Sequence, residues 1–162
     1  MIDEIHVAPG TEIGGRYVVE RALGSGSFGR TYLVRDSVRN ALVALKFFDP
    51  KSARDLKAQE LFQREGSVLR SLRHHGVPEV YETGSIELAG RTLPVLAMEF
   101  IEGPSLAAMI QQQHRFAPGE AHRLFFDMLS VLEYLHECAP PVLHRDIKPA
   151  NVILRERFSG AG

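Results

Sequence analysis

The chain has 162 residues, 44% hydrophobic and 24% charged, with a formal net charge of -1. That balance describes one globular domain or two small lobes and excludes a largely disordered chain. The near-zero charge excludes the electrostatic footprint of a nucleic-acid or anionic-membrane binder. The single cysteine, Cys138, excludes an internal disulfide and any redox pair. No stretch reaches the roughly 20 apolar residues of a membrane span, and the opening MIDEIHVAPGTEIGG is unlike a signal peptide. The expectation is a cytoplasmic protein with no membrane and no nucleic-acid partner.

In chain order, residues 1–13 read as an N-terminal extension. RYVVERALG (16–24), TYLVRD (31–36) and ALVALKFF (41–48) are β-branched and aromatic runs divided by the turn signals GSGSFG and SVRN, and they predict three antiparallel strands. From Asp49 to Arg73 the spacing becomes helical, with Leu61, Phe62, Val68, Leu69 and Leu72 as the apolar stripe. Glu65 falls on that stripe. A carboxylate there is costly unless paired with a cation, or unless helix rotation carries it to the stripe's edge and into water.

VYETGSIEL (80–88) and RTLPVLAMEFI (91–101) predict a strand pair that completes a five-stranded sheet. Residues 105–113 predict a short helix. Ala121, Leu124, Phe125, Met128, Leu129, Leu132 and Leu135 form a second, stronger apolar stripe, which requires a large surface to cover it. Pro140-Pro141 interrupts that pattern. Of the histidines, His74, His75, His114 and His122 lack a second ligand at metal spacing and read as surface or packing residues.

Gly24, Gly26 and Gly29 have the G-x-G-x-x-G spacing that lets backbone N–H groups approach phosphate oxygens. By itself the spacing is weak, since a glycine-rich hairpin is commonly only a hairpin. Rossmann and P-loop readings need a helix after the glycines. Here TYLVRD follows, a strand, and Arg30 stands where a P-loop needs lysine. A glycine loop between two strands is the arrangement that protein kinases use.

Further motifs follow in the same order. VALK (43–46), Glu65 within FQREGSVLRSL, MEFIEG (98–103) and HRDIKPAN (144–151) together resemble the motif set of a bacterial-type (Hanks-type) protein serine/threonine kinase. The resemblance covers roughly residues 14–154. It implies an α+β, protein-kinase-like fold: a five-stranded N-lobe sheet with its C-helix and hinge over 14–101, then the start of a helical C-lobe over 102–162.

The resemblance also implies roles. Lys46 holds the α- and β-phosphates of ATP and pairs with Glu65. Asp146 is the catalytic base, Lys148 offsets charge on the transferring phosphoryl group and favours Ser/Thr hydroxyls, and Asn151 is a Mg²⁺ ligand. Leu23, Ala44 and Ile153 enclose the adenine, Met98 is the gatekeeper, and the backbones of Glu99 and Ile101 bind its edge. His144 is structural rather than acid/base. Thr31, where many kinases place valine, makes the roof slightly more polar. After Leu154 the sequence reads RERFSGAG, with no D-F-G, activation segment or A-P-E. The expectation is an incomplete catalytic domain of doubtful activity alone, whose 121–135 stripe is covered by a further C-lobe segment or a partner.

Overall fold

The computed structural model describes residues 6–26, 29–48, 56–88 and 90–155. The chain divides into two compact units, one of residues 1–73 and 78–100 and the other of residues 74–77 and 101–162.

The first unit is a six-stranded antiparallel sheet with one helix. In chain order its strands are β1 (Glu12–Ile13), β2 (Tyr17–Gly26), β3 (Gly29–Asp36), β4 (Ala41–Phe48), β5 (Val80–Leu88) and β6 (Arg91–Glu99), and α1 (Leu56–Ser71) lies between β4 and β5. The spatial order is β1-β2-β3-β4-β6-β5. Five strands stand where the β-branched and aromatic runs placed them. The sixth, β1, pairs Glu12 with Val18 and Ile13 with Tyr17, and two residues are too few to show an alternating pattern. Val7 and Ile13 of the expected extension are buried in the core.

The period-two alternation of the strands sorts side chains onto two faces. Tyr32 and Val34, Val43, Leu45 and Phe47, and Leu93, Val95 and Ala97 join Val7, Ile13, Tyr17 and Val19 in the larger apolar cluster. Phe48, Leu96 and Val80 gather on the opposite side with Phe62 of α1, flanked by Leu69 and Met98. The sheet curls so that its outer strands meet. Arg16, in the β1–β2 turn, bonds Glu82 of β5 at 2.6 Å, and its fork holds Asp36 of β3 at 2.8 and 2.7 Å. Asp36 is fully buried and also accepts the N–H groups of Val38 and Arg39, so its charge is fully partnered. Pro94 sits just beyond Phe47–Val95, the last β4–β6 pair, where β6 retains only β5 as a neighbour and a missing N–H is tolerated.

The stripe predicted for α1 is rotated in the structure. Phe62 and Leu72 are buried, but Leu61 is 46% exposed. The inward face runs Phe62, Glu65, Gly66, Leu69, the i, i+3, i+4, i+7 set, and Leu61 lies one residue off it. Residues 49–55 of the predicted helical stretch fall outside the described residues.

The second unit holds α2 (Leu106–Gln111) and α3 (Pro118–Glu137). Ser105 caps α2 by accepting the N–H of Ala108 at 3.1 Å. Pro118 opens α3 at the position where its missing N–H costs nothing, and Glu120 accepts the N–H of Ala117 at 2.9 Å. Leu135 of the predicted α3 stripe is buried, whereas Phe125, Phe126 and Leu129 are exposed by 57, 64 and 41%. His74 packs on this helix: its ring stacks on Tyr134, Nε2 meets the Ser130 hydroxyl at 3.3 Å and Nδ1 accepts the N–H of Gly76.

Candidate active site

Most of the candidate residues of the first unit lie on its sheet. Thr31, Lys46 and Leu96 are successive cross-strand partners on β3, β4 and β6, and Leu33, Ala44 and Met98 form the neighbouring row. The sheet register thus brings Ala44, Lys46 and Met98 onto the face that carries α1. Leu33, 6% exposed and opposite Ala44, shares that row; its place in the β3 alternation was the signal that would have found it.

Lys46 supplies a cation on the Thr31–Leu96 row. Its Nζ donates to Glu65 Oε1 at 3.2 Å, with the two side chains 18 and 38% exposed, and lies 5.7 Å from the centre of the Phe62 ring. Both readings of Glu65 contain part of the answer: it stands at the rim of the apolar face, half in water, and its carboxylate meets a cation. A partly buried ammonium with one carboxylate partner is a point charge held in a fixed place, suited to phosphate oxygens.

The glycine segment is the end of a hairpin, pairing Gly24 with Thr31 and Gly26 with Gly29; a register shift between Ala22 and Gly24 leaves Leu23 unpaired and half-buried. Gly29 has φ +146°, a conformation that side-chain-bearing residues avoid. A Cβ added to Gly24 would meet nothing within 4 Å. Packing among the described residues therefore does not demand glycine there.

Glu99, at the end of β6, donates its N–H to the Glu79 carbonyl at 2.8 Å. Ile101 belongs to the second unit, as do the remaining candidates. There Leu106 donates to the Val152 carbonyl at 2.8 Å and Leu154 to the Pro104 carbonyl at 2.9 Å, a short antiparallel clasp centred on Ser105 and Ile153. It anchors the far end of the loop 143–151 and leaves Ile153 43% exposed.

Within that loop Asp146 is the hub. Lys148 Nζ lies 2.9 Å from its Oδ2, and Asn151 Nδ2 donates to its Oδ2 at 2.9 Å and to its backbone carbonyl at 2.8 Å. Its N–H donates to His144 Nδ1 at 3.4 Å, a contact that ties His144 into the loop. Arg145, between them, has φ +58°, strain of the kind that concentrates at working loops. The Lys148 ammonium first, and the Asn151 amide second, hold the Asp146 carboxyl below the usual carboxylate range. It is ionised at neutral pH. With its amide nitrogen engaged, Asn151 presents its amide oxygen, and that oxygen with a carboxylate is the hard donor set that suits Mg²⁺.

Residues 17–159 match the family model described as the protein kinase domain. The chain belongs to the protein kinase family. It is 34% identical over 148 residues to the serine/threonine-protein kinase PksC of Streptomyces coelicolor, covering 89% of this chain and 26% of that protein. It is 29% identical over 144 residues to the serine/threonine-protein kinase PknB of Mycobacterium tuberculosis, covering 89% of this chain and 23% of that one. Among solved structures, the M. tuberculosis PknI kinase domain is similar with a TM-score of 0.73 and 30% identity, over 93% of this chain and 58% of that domain. The chain thus spans about a quarter of these curated relatives and under two thirds of a solved kinase domain, the N-lobe and the start of the C-lobe. Protein kinases use ATP with Mg²⁺ and act on protein substrates. Among the described residues no helix is long and apolar enough to cross a membrane.

Proposed function

We propose that this kinase portion binds ATP through residues of its first unit and carries, in its second, the loop that directs phosphoryl transfer to serine or threonine hydroxyls of a protein substrate in the cytoplasm. Residues 14–101, with the β1 strand that precedes them, are the N-lobe and hinge, and 102–162 open the C-lobe. The observation that carries the reading is the Asp146 hub, a carboxylate paired with Lys148 and oriented by Asn151.

In this reading the backbone of Gly24, Gly26 and Gly29 lies over the phosphates and Lys46 holds their oxygens, itself held by Glu65. Leu23, Ala44 and Met98 of the first unit offer apolar surface to the adenine, and the backbone of Glu99 meets its edge. Asp146 accepts a hydrogen bond from the substrate hydroxyl, aligns the oxygen for in-line attack and takes its proton late, a task that a weakly basic carboxylate can perform. Lys148 stands beside Asp146, where charge spreads over the transferring group. Mg²⁺, with Asn151 among its ligands, would supply the remaining neutralisation of phosphate charge.

The exposed Phe125, Phe126 and Leu129 favour a second reading, a nucleotide-binding module without catalysis whose α3 face is covered by a partner or by a further C-lobe segment. Transfer of labelled phosphate from ATP to a generic protein substrate separates the two. The kinase reading expects a signal that Asp146→Asn abolishes; equal signals from the parent and the variant favour the module.

A further inference from the structure

We infer that Gly66 is a positioning residue: the lack of a side chain there sets how closely α1 lies on the sheet and so lets Glu65 reach Lys46. Its functional consequence rests on reading Lys46 and Glu65 as the phosphate-holding pair; the geometric claim does not.

Thr83 on β5, Leu96 on β6 and Lys46 on β4 are successive cross-strand partners, a single row across the sheet. Helix α1 crosses that row. Gly66 is buried, and a Cβ built on it would lie 3.1 Å from Thr83 Cγ2 and 3.4 Å from Leu96 Cδ1. The next residue back, Glu65, reaches the end of the same row and bonds Lys46. Glycine is the residue a helix interior tolerates least after proline, so its presence on the inward face requires a local reason, and the 3.1 Å approach supplies one.

Neither neighbour yields freely. Leu96 is 2% exposed and locked in the cluster with Phe48, Phe62 and Val80. Thr83 is exposed but stiff at χ1, and of its two other staggered positions one sets Oγ1 where the methyl stood. The strain of a larger residue that these two neighbours do not absorb falls on the helix, which rises. The Lys46–Glu65 bond is long: at 3.2 Å it exceeds the roughly 2.7–2.9 Å usual for an ammonium–carboxylate contact. A rise of a few tenths of an ångström carries it past hydrogen-bond range.

The pair can be read without nucleotide by zero-length carbodiimide cross-linking, which joins an amine only to a carboxylate in contact, with the Lys46–Glu65 product quantified by peptide mass spectrometry on the full chain. Gly66→Leu is expected to lower the yield about fivefold, the factor equivalent to losing a part-exposed ion pair, with Gly66→Ala between it and the parent. Thr83→Ala added to Gly66→Ala removes the methyl in the way and is expected to restore the yield. Thermal melts run alongside: a merely structural account expects Gly66→Ala, a better helix former, to melt no lower and to cross-link as the parent does. Equal yields from the parent and Gly66→Ala, or no recovery with Thr83→Ala, would overturn the inference, and the Ala pair decides it even where Gly66→Leu fails to fold. ATP affinity measured on the same set keeps the two claims apart. A cross-link that forms in the parent and is lost in the Gly66 variants, in a protein that binds no ATP, would refute the phosphate reading and leave the positioning role standing.

Discussion

Asp146 shows how much single residues contribute. Its side chain is largely exposed, and its lowered proton affinity comes chiefly from two specific neighbours, Lys148 and then Asn151. A carboxylate depressed in this way stays charged as pH falls until the depressed value is reached, and removing the ammonium moves that point upward. Lys148→Met is therefore expected to raise the Asp146 titration toward the ordinary carboxylate range, as followed by carbon NMR of the side-chain carboxyl; an unmoved midpoint would show that the ion pair does not form in solution. Motifs made Asp146, Lys148, Asn151 and Lys46 legible in the sequence because the charge chemistry requires those side chains at those offsets. Gly66 was not legible. A glycine carries neither charge nor hydrophobicity, and its one signal was a gap in the inward face between Phe62 and Leu69.

Among the elements, the strands were readable as short β-branched and aromatic runs bounded by turn signals, and β3, β4 and β6 carry consecutive buried residues because both faces of the sheet are covered there. What the pattern could not show was the closure of the sheet, which depends on one turn residue reaching two carboxylates far away in sequence. Arg16 joins the β1–β2 turn to β3 and β5 through Asp36 and Glu82. The hydrogen bonds from Arg16 are the largest cause of the lowered Asp36 proton affinity, opposed by burial. The sign follows from that depression: the stabilisation is fully present above the ordinary carboxyl value of 3.8 and is lost as pH falls through the lower, folded value. Arg16→Met strands a buried carboxylate and is expected to cost about 3 kcal/mol at neutral pH. It should also move acid unfolding to higher pH, both effects being read by denaturant melts across a pH series. A loss under about 0.5 kcal/mol, the range of ordinary surface changes, would show that the latch contributes nothing to stability.

At the scale of the whole molecule, the first unit closes its apolar interior and the second leaves Phe125, Phe126 and Leu129 of α3 in solvent. The α3 stripe was legible as a surface that needs covering, and the 58% coverage of the solved PknI domain sets this chain beside folds with considerably more C-lobe. An exposed aromatic face of this kind promotes association. Light scattering of the 162-residue chain is expected to show species larger than a monomer, reduced by the paired change Phe125→Ser and Phe126→Ser; a monodisperse parent would contradict this. The central claim is that Lys46, held by Glu65, grips the phosphates of ATP. It is tested most directly by calorimetric titration of the chain and of Lys46→Ala with ATP and Mg²⁺. The expected result is measurable binding by the parent, weakened about tenfold in the variant by loss of a charge-assisted contact; equal affinities, or no binding by the folded parent, would contradict it.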